Sequence, residues 1–340
     1  MPTTLRDVAK LAGVSPKTVS NVVNGYVHVR PETRDRVERA IATLNYRPNL
    51  SARSLRQGRT GIIALAVPEL DIPYFAELAR HLVTEADLHG WTVLVDQTEG
   101  VHERERKVIG GLRDQLIDGL ILSPLALTAE DLAARTDSTP MVLLGERVHH
   151  GPADHVVIDN IAAARDATNH LIERGCRRIA AIGAQRVPAG ETARLRLRGY
   201  REALADAGLP YDEELVTTTL RYHRRDGAAA MTWLLGLPHR PDGVFCFNDL
   251  MALGALRTLA EQGVKVPGDI AVIGFDDIED GRYSVPTLST ISPNKQEIAR
   301  LAVDLLKRQM VTGGPGLADG DGPQEIFAPY KLTPRESTLG

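Results

Sequence analysis

From residue 61 onward, short apolar runs rich in valine and isoleucine alternate with amphipathic stretches of roughly ten to twenty residues. Runs of this kind are typical of strands buried on both faces, and the stretches between them have the period of surface helices. A repeated strand–helix rhythm predicts a parallel sheet covered by helices on both faces. Eight or more such units exceed one typical sheet, so we expect two doubly wound lobes. The runs begin at Ile62, Thr92, Gly119, Met141, His155, Ile179, Gly243 and Ile270.

The first sixty residues have a different pattern, with helical repeats and turns but no strand. Thr4 can cap a first helix, which Gly13 ends because glycine takes the left-handed C-terminal conformation cheaply. Ser15 and Pro16 can open a second helix, and a third begins near Pro31. The sequence therefore predicts an α + α/β protein, in which a three-helix unit precedes the two lobes.

Charge is divided unevenly between these parts. Residues 1–60 contain eleven Lys and Arg against four Asp and Glu, a net charge of +7, whereas the whole chain has a net charge of −4. The remaining residues therefore carry −11. A basic N-terminal unit on an acidic body is suited to binding a polyanion at one end.

The first two predicted helices, separated by residues 13–15, fit a helix-turn-helix, which places its second helix in the DNA major groove. Lys17 and Asn21 lie one helical turn apart on the polar face of that helix, so both can reach base edges. Thr18 and Asn24 are better placed to hold phosphates. From spacing alone, an ordinary three-helix cap with a solvated polar face remains the alternative.

The residues themselves favour the helix-turn-helix over the ordinary three-helix cap. TLRDVAKLAGVSPKTVSNVVNG and the residues after it, through the first 68, closely resemble the headpiece of the LacI/GalR family of bacterial repressors. The resemblance continues in IPYFAEL (72–78), VVIDN (156–160), ARLRLRGY (193–200), FCFNDLMALGAL (245–256) and IAVIGFDDIE (270–279). It implies a DNA-binding transcriptional regulator, with two lobes similar to those of periplasmic binding proteins.

The resemblance also gives the segment after the third helix a role. In such repressors this turn becomes a hinge helix on the operator, and two copies insert a leucine each into the minor groove. Leu55 matches that leucine. The predicted DNA-binding residues are Thr4, Ser15, Pro16, Lys17, Thr18, Asn21, Asn24, Arg30, Asn49, Ala52 and Leu55.

Domain boundaries follow from these patterns. We expect a headpiece at 1–46, a hinge and linker at 47–60, and an effector-binding and dimerisation domain at 61–340. Within that domain, the first lobe should comprise about 61–159 and 292–325. The second should comprise about 160–291 and 326–340.

Ligands on doubly wound sheets bind where strands end and helices begin. Ser123, Asp159, Asn248 and Asp276 fall at such ends, although Asp and Asn there often only cap the next helix. The resemblance places Arg196, Asn248 and Asp276 in the cleft between the lobes, with Phe75 and Tyr222 as its apolar or aromatic wall. This mixture suits a sugar, while a planar nucleobase could use the same wall and Arg196.

Other classes of protein are less well supported. The sequence has no dinucleotide-binding glycine turn, phosphate-loop lysine motif or nucleophile elbow, so we expect neither an enzyme nor a cofactor. His149, His150 and His155 lie in a Gly- and Pro-containing loop, which favours surface histidines over a metal site. A regulator that answers to a partner protein, and a sugar-binding transport receptor, remain alternatives.

Location and assembly complete the predictions. There is no signal sequence and no apolar stretch of membrane-spanning length, and Cys176 and Cys246 are isolated, so we expect a reduced cytoplasmic protein without membrane contact. The partners predicted are pseudo-palindromic operator DNA, a small-molecule effector and a second copy of the chain. Because no leucine heptad follows residue 312, a homodimer is expected rather than a coiled-coil tetramer.

Overall fold

The computed structural model describes residues 3–23, 26–46, 59–111, 116–148, 151–186, 190–312 and 322–339. The chain divides into two compact units, Met1–Gly61 and Ile62–Gly340. This division falls one residue after the end of the predicted linker.

The N-terminal unit contains three described helices, α1 (Leu5–Ala12), α2 (Pro16–Val23) and α3 (Pro31–Thr43). Thr4 and Asp7 form a capping box at the start of α1, and Gly13 ends this helix in the left-handed conformation, with φ of 64°. The apolar residues recur at helical spacing, so each helix turns one stripe toward a shared core. That core is formed by Val8, Ala9, Ala12, Val19, Val22, Val37 and Ala40.

The C-terminal unit has twelve strands and ten α-helices among its described residues. The strands are β1 (Ile62–Val67), β2 (Thr92–Gln97), β3 (Gly119–Leu122), β4 (Met141–Leu144), β5 (Asp154–Val157), β6 (Ile179–Ala184), β7 (Val216–Thr218), β8 (Gly243–Cys246), β9 (Ala271–Phe275), β10 (Ser289–Pro293), β11 (Glu325–Phe327) and β12 (Tyr330–Thr333). The helices are α4 (Pro73–Asp87), α5 (His102–Ile109), α6 (Ala129–Ala133), α7 (Asn160–Glu173), α8 (Glu191–Asp206), α9 (Arg224–Leu235), α10 (Asp249–Glu261), α11 (Glu279–Arg282), α12 (Lys295–Thr312) and α13 (Glu336–Leu339).

The strands form two six-stranded sheets, which confirms the prediction of two doubly wound lobes. The first sheet has the order β11-β5-β4-β3-β1-β2, and the second has the order β12-β10-β9-β8-β6-β7. All pairings are parallel except that of β12 with β10. The eight predicted apolar runs became β1 to β6, β8 and β9. Because both faces of the central strands are covered by helices, these strands are almost entirely buried.

The chain passes between the lobes three times. It leaves the first sheet after β5, returns through α12, which packs against α4 and the first sheet, and leaves again after β11. The strand Glu325–Phe327 pairs wholly with β5, so the last crossing follows residue 327, two residues later than the predicted boundary. Strand β10 likewise carries the second lobe to Pro293, two residues past the predicted end of that stretch at 291.

Two glycines allow α9 and α10 to pack closely in the second lobe. A Cβ added at Gly227 would lie 2.0 Å from the Met251 carbonyl oxygen, and one at Gly254 would lie 1.9 Å from the Arg224 carbonyl oxygen. Both separations are far inside van der Waals contact, so only glycine fits at this crossing. The close approach fixes the starts of these two helices, next to which Tyr222 and Asn248 lie.

The structure also bears on the predicted surface histidines and on the expected lack of membrane spans. His155, expected among surface histidines, is instead buried in β5, where its Nε2 hydrogen-bonds the Gly145 carbonyl, because a strand buried on both faces leaves no solvated position for it. His149 and His150 lie outside the described residues. Among the helices described, none is long and apolar enough to cross a membrane.

Candidate functional site

The polar surface of α2 is the candidate nucleic-acid interface of the N-terminal unit. Ser15, Pro16 and Lys17 are exposed, and Thr18 and Asn21 are half-buried, while Val19 and Val22 point into the core. The Ser15 hydroxyl accepts a hydrogen bond of 3.1 Å from the Thr18 amide and so caps the helix. This leaves Lys17 on the open side of α2.

The other predicted DNA-binding residues are described only in part. Thr4 is exposed, but its hydroxyl hydrogen-bonds the Asp7 carboxylate at 2.7 Å, so in this structure Thr4 serves the capping box. Arg30 is exposed immediately before α3. Asn24, Asn49, Ala52 and Leu55 lie outside the described residues, and their predicted roles stay predictions.

In the C-terminal unit, a cavity of about 350 Å³ lies between the two lobes. Its wall is formed by residues that follow β1, β3 and β4 of the first sheet and β6, β8 and β9 of the second. Parallel strands end at one edge of each sheet, and the two edges face each other here. The cavity therefore occupies the place where a ligand is expected on doubly wound sheets.

Arg196 is buried in the cavity wall and rigidly held. Its Nε donates a 2.7 Å hydrogen bond to Oδ1 of Asn160, and its Nη1 donates to the Phe247 carbonyl. The guanidinium carbon lies 3.5 Å from the centre of the Phe275 ring, a cation–π contact. Two of its three nitrogens are thus fixed by the protein, and Nη2 donates to no residue in the described part of the chain.

Asp276 lines the same cavity, and its carboxylate accepts no hydrogen bond from any described residue. Burial raises the pKa of this carboxyl to about 6. The neighbouring Arg196 and Lys295 lower the pKa, whereas Glu77 and Glu146 raise it. The residue has φ of 113°, a conformation that residues other than glycine rarely adopt. At neutral pH Asp276 therefore presents an ionised, unpaired acceptor to the cavity.

Tyr222 forms part of the cavity wall, and Asn248 holds Tyr222 in place. The Tyr222 hydroxyl donates a 2.9 Å hydrogen bond to the Gly183 carbonyl. Oδ1 of Asn248 accepts from the Met251 amide at 2.9 Å and caps α10, and its Nδ2 donates to the Tyr222 carbonyl at 3.0 Å. Asn248 thus lines the cavity as predicted, but its amide is already used to hold Tyr222 and the next helix.

The remaining predicted residues divide between the cavity and the surface. Ser123 and Phe75 line the cavity, and no described residue hydrogen-bonds the Ser123 hydroxyl. Asp159 does not line it. Its exposed carboxylate accepts from the Ala162 amide and caps α7, while the neighbouring Asn160 reaches Arg196. The structure thus places Asp159 outside the cavity wall, because its side chain caps the helix that follows the strand.

Tyr74 and Glu146 are among the cavity residues that sequence reasoning missed. The Tyr74 hydroxyl has no hydrogen-bond partner among the described residues, and burial raises its pKa. Glu146 is 7% exposed, and its Oε2 accepts a 2.9 Å hydrogen bond from the Thr192 hydroxyl of the other lobe. The strand-end rule could have found Glu146, which follows β4 by two residues.

Polar contacts also hold the rim of the cavity. Glu69, which follows β1, forms an ion pair with Arg221 at 3.1 Å, and its Oε2 lies 3.0 Å from Nε2 of His223 in the second lobe. In the first lobe, the buried Glu105 carboxylate accepts hydrogen bonds from three successive amides, at 125–127, and fixes the loop that lines the cavity after Ser123. These contacts leave the cavity with defined walls in both lobes.

Known protein families match both the N-terminal unit and the C-terminal unit of the chain. The family of bacterial regulatory proteins called lacI matches residues 4–49, and the periplasmic binding protein-like domain matches residues 168–338. The ribose operon repressor of Escherichia coli (strain K12) is 36% identical over 306 residues, which cover 89% of this chain and 92% of that protein.

Solved structures are similar over nearly the full length. A complex of the transcriptional regulator CelR with cellobiose is 33% identical, with a TM-score of 0.71, and the match covers 98% of this chain and 99% of that one. The Lac repressor dimer bound to operator and the anti-inducer ONPF is 29% identical, with a TM-score of 0.85 over 100% of both chains. The chain therefore belongs to the LacI family of bacterial regulatory proteins and is a DNA-binding transcriptional regulator with an effector-binding domain like those of periplasmic binding proteins.

Proposed function

We propose that this regulator is a repressor controlled by an uncharged polyhydroxylated ligand, a sugar, bound in the cavity between the lobes. The unpaired, buried carboxylate of Asp276 is the observation that carries the proposal. A carboxylate can accept hydrogen bonds from two neighbouring hydroxyls, and Nη2 of Arg196 can donate to a third oxygen. Leaving Asp276 unpaired in a closed site would be costly, so a ligand that supplies hydroxyl donors satisfies it.

The rest of the cavity supports the same class of ligand. Phe75 and Tyr222 offer ring surfaces to the C–H side of a sugar, and the hydroxyls of Ser123 and Tyr74 add two further polar contacts. Glu146 brings a second carboxylate into the wall, which disfavours an anionic ligand such as a sugar phosphate. The names of the relatives point the same way, since one is the repressor of a ribose operon and another was solved with cellobiose.

The proposal includes the DNA-binding side of the switch. Lys17 and Asn21 read bases in the major groove, Thr18 holds phosphate, and a hinge that includes Leu55 enters the minor groove when two chains bind one operator. The protein acts as a cytoplasmic homodimer. Closing of the cavity on the ligand favours one arrangement of the lobes, and the ligand's influence on DNA binding can be no larger than its difference in affinity for the two arrangements.

A thermal-shift screen tests the effector class directly. The panel contains ribose, galactose, cellobiose, a sugar phosphate, adenine and hypoxanthine, because a ligand that binds the folded state raises the melting temperature. We expect stabilisation by a neutral sugar in the native protein and none in Asp276→Asn. Asp87→Asn, which changes an exposed aspartate at the end of α4, serves as the matched control and should respond like the native protein.

Three results would overturn the sugar proposal. Stabilisation by a nucleobase alone would assign the aromatic wall to a planar ligand. Stabilisation by the sugar phosphate alone would assign an anion to the cavity. A sugar response that persists in Asp276→Asn would place the sugar elsewhere.

A further inference from the structure

Behind the cavity, Lys295 lies at the start of α12, where the chain returns from the second lobe to the first. Its ammonium group is almost fully buried and has three acceptors. Nζ donates to the backbone carbonyl of Asp276, to the carbonyl of Asp277 at 3.1 Å, and to Oε2 of Glu77 at 2.8 Å. An ammonium group has three hydrogens, so every donor of this buried charge is used.

Glu77 completes a junction between the lobes. It belongs to α4 of the first lobe, and its second oxygen, Oε1, accepts a 3.0 Å hydrogen bond from the Glu279 amide at the start of α11 in the second lobe. One carboxylate thus binds both the lysine of the returning segment and the backbone of the opposite lobe. We call Glu77, Lys295 and the backbone of residues 276–279 the rear junction.

The rear junction holds backbone in an unusual conformation. Asp276 and Asp277 have φ of 113° and 48°, and both values are unfavourable for residues with a Cβ. Their carbonyls converge on the same ammonium group. Because φ of Asp276 sets the direction of its side chain, the contact that holds this carbonyl also aims the carboxylate into the cavity.

We propose that Lys295 is a positioning residue that couples the effector-facing carboxylate of Asp276 to α4 and α12 of the first lobe. The inference rests on the proposed function and deepens it by naming the residue through which the effector sets the arrangement of the lobes. Lys295 is not in the cavity wall, so it acts through the Asp276 backbone and through Glu77, without contact with the ligand. A ligand that reorients Asp276 moves the carbonyl that Lys295 holds, and the lysine moves with its helix.

Distances between the lobes in the full-length protein test this role. Cysteines introduced at two exposed positions, Glu130 in the first lobe and Glu261 in the second, carry nitroxide labels, because Cys176 and Cys246 are buried. Excess unlabelled chain limits each assembly to one labelled copy. Double electron–electron resonance then gives the distribution of distances between the two labels. It is measured without ligand and with saturating cellobiose, or with ribose if that is the sugar that binds.

The variants separate coupling from folding and from ligand binding. Lys295→Met should broaden and shift the distance distribution even without ligand, whereas Lys295→Arg should restore much of the native distribution. Lys307→Met removes an exposed lysine from the same helix and should leave the distribution unchanged. Asp276→Asn keeps the backbone carbonyl that Lys295 holds and should abolish the response to sugar. The melting temperature of each variant shows whether it is folded.

The outcomes distinguish failure of this inference from failure of the sugar proposal. A native distance distribution in folded Lys295→Met, together with a native response to sugar, would overturn the coupling role. If no sugar binds the native protein, the proposed effector class fails, yet the ligand-free distances of Lys295→Met still decide whether the rear junction fixes the lobes. If Lys295→Met does not fold, Glu77→Gln, which keeps an acceptor for the Glu279 amide, tests the same junction and must alter the distances.

Discussion

The Thr192 hydroxyl of the second lobe donates a 2.9 Å hydrogen bond to Oε2 of Glu146 in the first. Both residues line the cavity, and Thr192 stands one helical turn before Arg196 on α8. Closure of the lobes and formation of the binding surface are therefore joined in one contact. The bond involves a charged acceptor, which makes it stronger than a bond between neutral groups.

Thr192→Val should weaken sugar binding while leaving the fold intact. The change keeps the shape of the side chain but removes the only donor to Oε2 of Glu146 among the described residues, and a hydrogen bond to a charged group contributes about 1.5–3 kcal/mol. We expect about a tenfold or larger loss of affinity by titration calorimetry. Thr232→Val, an exposed threonine on α9, is the control. Equal affinities in the two variants would show that the bridge does not contribute to binding.

Sugar affinity should depend on pH through Asp276. Its pKa is raised to about 6, so the carboxylate is ionised above that pH and protonated below it. Because the proposed ligand donates hydrogen bonds to the ionised form, affinity should be constant above about pH 7 and fall by about tenfold per unit below pH 6. Calorimetric titrations between pH 5 and 8 measure this, and a flat profile would contradict the assigned role.

Asp276→Asn should stabilise the ligand-free protein at neutral pH. The pKa is about 6 when folded against a usual value of 3.8, so the folded state binds the proton more tightly and ionisation opposes folding above pH 6. The difference corresponds to roughly 3 kcal/mol, which asparagine removes, and asparagine tolerates the positive φ at this position. The gain should shrink as pH falls through about 6 and disappear below about 4. Urea unfolding at pH 7.5 and pH 4 checks the sign.

Base recognition by α2 can be tested one residue at a time. Lys17→Ala or Asn21→Ala should relax preference at one position of each operator half-site, by about 1–3 kcal/mol. Lys10→Ala removes the same charge from the last turn of α1 and should weaken binding to all sequences about equally. Binding to a pool of randomised half-sites measures both effects. Unaltered preference in the α2 variants would show that they do not read bases.

Leu55→Ala tests the predicted hinge, which lies outside the described residues. A leucine inserted into the minor groove repays the cost of unstacking only on the operator, where the bend adds contacts. We expect a loss of operator affinity much larger than the loss of affinity for nonspecific DNA. Fluorescence anisotropy on both kinds of DNA gives the ratio, and equal losses would reject the wedge.

Most of the fold could be predicted from the sequence, because central parallel strands are continuous apolar runs. The predicted runs did not include four strands, β7, β10, β11 and β12. These strands are short, lie at or near the sheet edges, or contain Ser, Thr and Pro, so no apolar run marks them. The assignment of β11 to the first lobe depends on pairing with β5 across about 170 residues, for which local sequence has no signal.

The candidate site was predicted by type more reliably than by position. The structure places Ser123, Asn248 and Asp276, three polar residues at strand ends, in the cavity wall, but the same pattern covers helix caps, and Asp159 is one. Whether Asp159 or Asn160 faces inward depends on the turn after β5. Lys295 was not predictable at all, since a lysine at the start of a helix is usually solvated and only the three converging oxygens show otherwise.

The three crossings between the lobes have a consequence for synthesis of the chain. Strand β11 and helix α12 of the first lobe, and strand β12 and helix α13 of the second, all come from the last fifth of the sequence. Neither lobe can reach its final packing while that segment is inside the ribosome, so the cavity forms only after the segment has emerged. The headpiece, with a core of its own, is made before both lobes. A nascent chain can therefore hold a folded DNA-binding unit before it has any means of sensing an effector.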